Sequence, residues 1–306
     1  MPLTRLPSPK RPIAQLIGWL KGVPCVILLF VTLLAINGLQ TLSTVLIPFS
    51  RQAFRKVNRW AANAWWSLCV LIPKHFYGVQ VVLTGDPIPC NENAILVANH
   101  QSYTDITLLI FLAYSKRTVG DMKWFVKEII KYFPGVGWGM VFLDCPFVKR
   151  NWSSDKDSIR QTFARLLRDQ VPLWLISFVE GTRQTPKKLA ASQAYARQQG
   201  MAPLEHVMIP RTKGFVASVQ GMAGHIQAVY DITIGYEQGV PNLWQYCQGI
   251  FQVAHFHVRR TPVQDLPKTE EGLSQWLIAS FREKDRLLDG FYRSGIFPKG
   301  SADGIL

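Results

Sequence analysis

The sequence has little cysteine, and its cysteines form no pattern that would hold a disulfide framework or a metal. The five cysteines are scattered, odd in number and contain no C-x-x-C pair. This usage argues against a disulfide scaffold and a zinc site, and it favours a reducing compartment. The chain also lacks a P-loop, a G-x-G-x-x-G turn after a strand and a G-x-S-x-G elbow. Nucleotide-binding folds and serine hydrolases therefore have no motif support.

Acidic residues are also scarce, with 20 Asp and Glu against 34 Lys and Arg, for a formal net charge of +14. Such a balance predicts an anionic partner, which can be a nucleic acid, a phospholipid surface or a phosphorylated substrate. Neither zinc-finger spacing nor an aromatic RNA-binding strand is present, so nucleic acid is not expected. With 306 residues, 48% of them hydrophobic, the chain is long enough to bury a sizeable core.

Charge is absent altogether from residues 22–50, GVPCVILLFVTLLAINGLQTLSTVLIPFS. This run exceeds the ~20 residues that a helix needs to cross the hydrocarbon core. It is also longer than the ~7–15 residues of a signal-peptide core. Basic residues flank both sides, so the positive-inside rule selects no orientation. Two interpretations stay open: one tilted span, and a shallow helical hairpin broken near Asn37-Gly38.

The stretch that follows, RWAANAWWSLCVLIPKHFY at residues 59–77, combines tryptophans with flanking basic residues. That combination is typical of the bilayer interface, although a buried helix of the next domain has the same composition. We therefore divide the chain into a membrane anchor with an interfacial segment at residues 1–77, and a catalytic domain at residues 78–306.

From residue 78 onward, short apolar runs alternate with helical stretches. Strands are predicted at VQVVLTG, AILVANH, LWLISFV, HVMIP, AVYDITIGY and FQVAHFHV. Helices are predicted at TDITLLIFLAY, DMKWFVKEIIKYF, DKDSIRQTFARLLRDQ and SQWLIASFREKDRLLDGFYR. The alternation predicts the α/β class, a sheet flanked by helices, with the N-terminal hydrophobic helix or helical hairpin added to it.

The heptapeptide NHQSYTD at residues 99–105 follows a buried strand and places a histidine five residues before an aspartate. Ligands in α/β folds bind at the carboxyl ends of strands. There Asp105 can accept the Nδ1 proton of His100 and leave Nε2 free to take another. The alternative is a helix cap beside a structural loop histidine. His255 and His257 share one strand face without further metal ligands nearby, and we interpret them as structural.

Three further turns bring basic residues to strand ends. FVEGTR supplies Glu180, Gly181, Thr182 and Arg183 after the strand LWLISFV. The stretch VMIPRTKGF adds Arg211 and Lys213, and FPGVGWGMVFLDCPFVKR ends on Lys149-Arg150. Guanidinium groups match phosphate oxygens in geometry and charge. A general base surrounded by such turns predicts a phosphorylated substrate.

Taken together, these four stretches resemble the four blocks of the glycerolipid acyltransferases, which include the 1-acyl-sn-glycerol-3-phosphate (lysophosphatidate) acyltransferases and their lysophospholipid relatives. NHQSYTD is similar to the family's Asn-His-x-x-x-x-Asp block, and the other three follow in the family's order over residues 80–235. Val179 is a departure, because most members carry proline there. The resemblance implies acyl transfer from acyl-CoA, or from acyl carrier protein, to the free hydroxyl of lysophosphatidic acid.

The resemblance further implies His100 and Asp105 as the catalytic pair, with no cofactor and no metal. The residues implied for the substrate phosphate and glycerol are Glu180, Gly181, Thr182, Arg183, Arg150, Arg211 and Lys213. Backbone N–H groups near Gly181 or Gly214 are candidates for the oxyanion. A remodelling acyltransferase for another lysophospholipid, such as lysophosphatidylinositol, has the same motifs, and a non-catalytic protein that binds anionic lipid is the rival outside the enzymes. The expected location is a bacterial inner membrane with a cytoplasmic-side site, or the endoplasmic reticulum in a eukaryote.

Overall fold

A computed structural model describes residues 4–149 and 151–306. The helices are α1 (Pro12–Leu42), α2 (Arg51–Tyr77), α3 (Thr104–Ser115), α4 (Val136–Phe142), α5 (Trp152–Arg168), α6 (Pro186–Gln198), α7 (Thr212–Gly221), α8 (Leu243–Cys247) and α9 (Glu270–Ser294). The strands are β1 (Gln80–Gly85), β2 (Ala94–Ala98), β3 (Met122–Trp124), β4 (Val126–Lys127), β5 (Phe147–Val148), β6 (Trp174–Ser177), β7 (Ala228–Gly235), β8 (Val253–Pro262) and β9 (Gly304–Ile305).

Seven of the strands form one sheet in the order β3-β6-β2-β7-β8-β1-β9. β3, β6, β2 and β7 are parallel to one another, β8 runs antiparallel to β7, and β1 is again parallel to β8. β4 and β5 form a separate two-stranded pair. The predicted α/β class is confirmed. The parallel centre matters most for function, because it brings the carboxyl ends of β2, β6 and β7 to one edge.

The central strand β2 shows why the sheet is covered on both faces. All five residues of AILVA are buried, as expected for a parallel strand between two layers of helices. Ile95 and Val97 lie in one hydrophobic cluster with α5, α7 and α9, whereas Leu96 and Ala98 lie in another with α2 and α3. Successive side chains of a strand point to opposite faces, so one short apolar run contributes to two cores.

The uncharged run forms most of α1, which continues without a break through Asn37-Gly38. The break that the hairpin interpretation placed there is absent. The helix ends at Leu42, and after a 3-10 turn at Ser43–Leu46 the chain returns as α2, antiparallel to α1. Trp65 Nε1 donates to the carbonyl of Leu29 at 2.9 Å, and Tyr77 Oη donates to that of Lys21 at 3.1 Å. Within the described residues, the segment Pro12–Leu46 is the one helical stretch long and apolar enough to cross a membrane.

The segment at residues 59–77 belongs to α2, which packs against α1 and also against α3 and the turn at Val119–Asp121. Trp66 is buried in the core, as a helix packed on the domain requires, whereas Trp60 is exposed. The basic residues at the start of α2 contact acidic residues of the domain. Arg55 pairs with Asp144 at 3.0 Å and also with Asp169, and Arg59 Nε lies 2.5 Å from Asp121.

Two predicted elements are wrong. The stretch DMKWFVKEIIKYF is not a helix but holds the short strands β3 and β4 and a 3-10 turn at Glu128–Tyr132. HVMIP is not a strand but an irregular connection between α6 and α7, with a bend at residues 205–207. The other predicted strands and helices of the domain are present, with their ends shifted by a few residues.

Candidate functional site

The candidate site lies where β2, β6 and β7 end. His100 follows the last residue of β2 by two positions, Glu180 follows β6 by three, and Tyr236 follows β7 directly. The register pairs Val97 of β2 with Ser177 of β6, and Ala98 with Ile232 of β7. Because these strands are parallel and adjacent, three separate segments of the chain place polar side chains at one edge of the sheet.

His100 and Asp105 form a close pair at this edge. Nδ1 of His100 lies 2.9 Å from Oδ2 of Asp105, and both residues are buried. A carboxylate oxygen only accepts, so Nδ1 carries the proton and Nε2 presents a lone pair. The imidazole ring stacks on Phe178, with ring centroids 3.9 Å apart at an interplanar angle of 15°. Phe178 therefore packs on one face of the ring, and Asp105 binds one of its two nitrogens.

Asp105 is itself held by groups from two segments. Its Oδ2 also accepts the backbone N–H groups of Gln101 at 2.6 Å and Ser102 at 2.8 Å. Its Oδ1 accepts the phenol hydroxyl of Tyr236, at the end of β7. The side chain has no solvent exposure. Asp105 does lie in the first turn of α3, but its oxygens bind the preceding loop and the histidine, which a simple helix cap does not require.

Asn99 fixes the start of this loop by extending the sheet with its side chain. Its Nδ2 donates to the carbonyl of Ile234 at 3.0 Å, and its Oδ1 accepts the N–H of the same residue at 2.8 Å. The side-chain amide thus makes the two hydrogen bonds to β7 that the backbone of one more β2 residue would make. His100 is consequently held in register with Tyr236, two residues beyond Ile234.

Glu180 acts as a bridge beneath the histidine. Its Oε1 accepts the backbone N–H of His100 at 2.7 Å, and its Oε2 accepts that of Met208 at 3.1 Å. The carboxyl is buried, and burial raises its pKa to about 8, although the two N–H groups oppose this rise. Glu180 thus connects the loop after β2 with the connection between α6 and α7.

The raised pKa of Glu180 predicts a pH dependence of stability. The folded chain binds a proton at Glu180 between its unfolded pKa, near 4.5, and its folded pKa, about 8. Stability therefore falls as the pH rises through that window, by up to about 1.4 kcal/mol per pH unit. In Glu180→Gln this contribution is absent. Denaturant unfolding of both proteins at pH 5.5 and 7.5 should show the wild-type protein losing more stability than the variant, and equal losses would contradict the assignment.

Two guanidinium groups lie at the FVEGTR turn, which contains Glu180. Arg183 is part of this turn, and Arg211 comes from the segment before α7. Arg183 stacks on the ring of Tyr103, 3.6 Å from its centroid, and so contacts the NHQSYTD loop. Arg211 lies against Gly181, where a Cβ would come within 2.9 Å of its Nε. Gly181 also has a φ of +73°, which glycine adopts without strain. Neither guanidinium forms an ion pair with a carboxylate in the part of the chain that the structure describes, so both are available to an anion.

The remaining predicted site residues are less closely grouped. Thr182 Oγ1 accepts Nζ of Lys188 at 2.5 Å, which adds a cation that the sequence patterns did not single out. Lys213 is exposed in the first turn of α7. Arg150 lies outside the described residues. Of the two candidates for the oxyanion, the N–H of Gly181 already donates to the carbonyl of Phe178 at 2.9 Å, which leaves Gly214 in the first turn of α7.

The sequence patterns gave three members of the site no role of their own. Asn99 and Phe178 lie within the NHQSYTD and FVEGTR stretches, and Tyr236 ends a predicted strand, but none of them was a candidate site residue. In the structure they hold the loop, the imidazole ring and Asp105. A polar residue directly after a buried strand is the signal that could have identified Asn99 and Tyr236, and its place in the FVEGTR stretch is the signal for Phe178.

Comparison with known proteins agrees with this geometry. Residues 80–237 match the family model described as Acyltransferase, and residues 246–304 match that described as Acyltransferase C-terminus. The chain is 35% identical over 283 residues to "1-acyl-sn-glycerol-3-phosphate acyltransferase 2" of Brassica oleracea, which covers 90% of this chain and 72% of the relative. It is 32% identical over 272 residues to "1-acyl-sn-glycerol-3-phosphate acyltransferase delta" of Mus musculus, covering 87% and 72%.

A solved structure shares the fold. The 1-acyl-sn-glycerophosphate (LPA) acyltransferase PlsC from Thermotoga maritima superposes with a TM-score of 0.55, covering 91% of this chain and 97% of that chain. The sequence identity is 17%, so this likeness concerns the architecture alone.

Proposed function

The chain belongs to the acyltransferase family, as its motifs suggested, and from that premise we propose that it acylates the free hydroxyl of lysophosphatidic acid to give phosphatidic acid. The names of the relatives support this acceptor. The observation that carries the proposal is the pairing of His100 with Asp105 beside two guanidinium groups, Arg183 and Arg211, that have no carboxylate partner among the described residues.

His100 is the general base in the proposed reaction. Its Nε2 removes the proton of the lysolipid hydroxyl as that oxygen attacks the carbonyl carbon of the acyl thioester. The C–S bond then breaks, and the imidazolium returns the proton to the departing thiolate. Asp105 keeps the proton on Nδ1 and stabilises the imidazolium that forms. No acyl-enzyme intermediate is needed, since the acceptor oxygen is itself the nucleophile.

Arg183 and Arg211 hold the phosphate of the acceptor. Arg183 belongs to the FVEGTR turn, and Arg211 lies against Gly181 of the same turn. A planar guanidinium binds two phosphate oxygens at once. Lys213 and Lys188 add positive charge at the rim of the site, and Thr182 supplies a hydroxyl. Glu180 acts through the backbone, because both of its oxygens accept N–H groups of the chain itself. It therefore positions His100 and does not need to touch the glycerol.

The thioester donor is acyl-CoA or acyl carrier protein. A net charge of +14 suits either donor, since one carries phosphates and the other an acidic surface. The N–H of Gly214, at the start of α7, is the candidate to stabilise the oxyanion formed at the thioester carbonyl.

The N-terminal residues 1–77 form the membrane anchor, and residues 78–306 form the catalytic domain. The exposed apolar side chains of α1 support this division, because a helix with Ile13, Leu20 and Phe30 in water would aggregate. Both substrates are amphiphiles that partition into the bilayer, so an anchored enzyme meets them at high local concentration. The membrane is a bacterial inner membrane with the site on its cytoplasmic side, or the endoplasmic reticulum membrane in a eukaryote.

Thiol release by the detergent-purified protein tests the proposed function. Oleoyl-CoA is supplied with lysophosphatidic acid, with lysophosphatidylinositol or with no acceptor, and free thiol is measured over time. Release that depends on lysophosphatidic acid is expected, and product analysis should show phosphatidic acid. Faster release with lysophosphatidylinositol would make the enzyme a remodelling acyltransferase. Acyl transfer would be contradicted if the folded protein released no thiol with any acceptor, whether the donor is oleoyl-CoA or an acyl carrier protein thioester.

A further inference from the structure

The segment between β4 and β5 exposes more apolar surface than a water-facing segment normally does. A 3-10 turn at Glu128–Tyr132 leads into α4, and six large side chains within thirteen residues point outward. These side chains, named here the 129–141 surface, are Ile129, Tyr132, Phe133, Val136, Trp138 and Val141, with exposed fractions from 40% to 66%. A contiguous exposed apolar patch on a monomer marks a contact with a partner or a membrane.

The 129–141 surface is attached to the carboxyl-terminal part of α1. The N–H of Gly135 donates to Oδ1 of Asn37 at 2.7 Å, and this asparagine is buried although it lies within an apolar helix. Gly135 has a φ of +88°, and a Cβ there would come within 3.1 Å of Leu33. Within the surface, Gly137 lets α4 pack on the 3-10 turn, because a Cβ there would come within 1.9 Å of the carbonyl oxygen of Ile130. The surface therefore continues the exposed apolar face of α1, which includes Phe30, Val31 and Leu34.

The charges around this surface are predominantly positive. Lys127 and Lys149 flank it in the chain and Lys131 lies within it. The acids nearby are Glu128, which lies 3.0 Å from Lys131 and 3.7 Å from Lys149, and Asp144, which pairs with Arg55 and Arg165. Tyrosine and tryptophan beside lysine are typical of the level of the lipid headgroups, where the ring lies in the acyl region and the ammonium reaches the phosphate. An apolar surface with a basic rim fits an anionic phospholipid bilayer better than it fits a protein partner.

We propose that the 129–141 surface is a second lipid-contacting surface, which enters the same membrane as α1 and binds anionic headgroups through its flanking lysines. The proposal rests on the proposed function only in treating α1 as the membrane anchor. It assigns to the FPGVGWG stretch a role in binding the bilayer, while Arg150, at the end of the same block, stays a candidate for the substrate phosphate. With α1 and the 129–141 surface both in lipid, the domain has two contacts with the bilayer and one fixed orientation on it.

The contact is tested with a fluorescent probe in the full-length protein. In a Cys90→Ser background the other four cysteines are buried, so a single new cysteine can be labelled with an NBD fluorophore. Tyr132→Cys reports on the 129–141 surface. Tyr195→Cys is the matched control, because Tyr195 is also a half-exposed tyrosine, at 51%, but lies on α6. Each protein is reconstituted into vesicles of phosphatidylcholine and phosphatidylglycerol that contain doxyl-labelled lipid.

The expected result is a blue shift and strong quenching by doxyl lipid at position 132, with little of either at position 195. Equal quenching at the two positions would overturn the proposal, and so would quenching at neither position, which would leave the surface for a protein partner. This readout does not use acyl transfer. A protein that shows the quenching but no activity would therefore contradict the proposed function alone.

A kinetic experiment adds a second test. Phe133→Asp places a charge in the 129–141 surface, and Tyr195→Asp places one on α6. We expect Phe133→Asp to lower acylation of lysophosphatidic acid embedded in vesicles by about tenfold, since charge in the acyl region is costly. In detergent micelles, which adapt to the protein, the same variant should keep its activity, as should Tyr195→Asp in both media. Unchanged activity of Phe133→Asp on vesicles would count against the proposal.

Discussion

His100→Ala should lower kcat for acylation of lysophosphatidic acid by about 10²–10⁴-fold while leaving the fold intact. The size follows from the loss of general-base catalysis. The fold should survive because Asp105 keeps its two backbone N–H partners and the hydroxyl of Tyr236 after the imidazole is removed. No buried charge is left without a hydrogen bond.

A second histidine gives the matched control for this variant. His225 is as buried as His100, and its Nε2 lies 2.7 Å from the carbonyl of Val171, but it precedes β7 and so lies at the opposite edge of the sheet. His225→Ala should retain most of the activity at temperatures below its melting transition. Steady-state rates and melting curves of both variants are needed. Equal losses of rate in the two would show that buried histidine packing, and not proton transfer, explains the effect of His100→Ala.

Asp105→Asn should lose activity to a similar degree, ~10²–10⁴-fold, without disturbing the orientation of the histidine. Oδ2 accepts three hydrogen bonds, from the ring Nδ1–H of His100 and from the backbone N–H groups of Gln101 and Ser102. The amide oxygen of the variant therefore takes the place of Oδ2. Its NH₂ group then faces Tyr236, whose hydroxyl can accept a hydrogen bond as well as donate one. The proton stays on Nδ1, and the variant removes only the negative charge that stabilises the imidazolium.

Tyr236→Phe is the control that keeps this charge. It removes one hydrogen bond to Oδ1 and leaves the three at Oδ2, so its loss of kcat should be about tenfold or less. Measurement of kcat and KM for both variants separates the two roles, because neither residue touches the phosphate and KM should change little. A loss in Tyr236→Phe as large as that in Asp105→Asn would indicate that the position of the carboxylate matters more than its charge.

Much of the site could be predicted because its parts are local. NHQSYTD and FVEGTR each follow a strand whose residues are all buried, and a parallel strand of that kind has few alternatives. The pairing of His100 with Asp105 needs only a loop and the first turn of α3. The contact between Arg183 and Tyr103 could not be predicted, since it joins two loops that are adjacent only because β6 pairs with β2.

The two wrong elements have a common cause in long-range contacts. HVMIP has the composition of a strand, but its backbone N–H groups are taken by side chains from elsewhere. Asp285 of α9 accepts those of His206 and Val207, Glu180 accepts that of Met208, and Ser192 accepts that of Ile209. Likewise, DMKWFVKEIIKYF has helical periodicity, but Met122–Trp124 pairs with β6 as the edge strand of the sheet. Phe125 and Val126 then pack on the two cores, and Ile129, Tyr132 and Phe133 are exposed.

The sequence by itself determined the features whose physical cause lies within one segment. An uncharged run of 29 residues makes a hydrophobic helix in any surroundings, and short apolar runs alternating with polar helices make an α/β sheet. The tertiary structure alone decided which polar groups satisfy one another. Tyr236 holds Asp105, the basic residues at the start of α2 pair with acids of the domain, and Asn37 anchors the 129–141 surface. The reason is that a buried polar group must find a partner, and the partner is here 62 to 131 residues away in the chain.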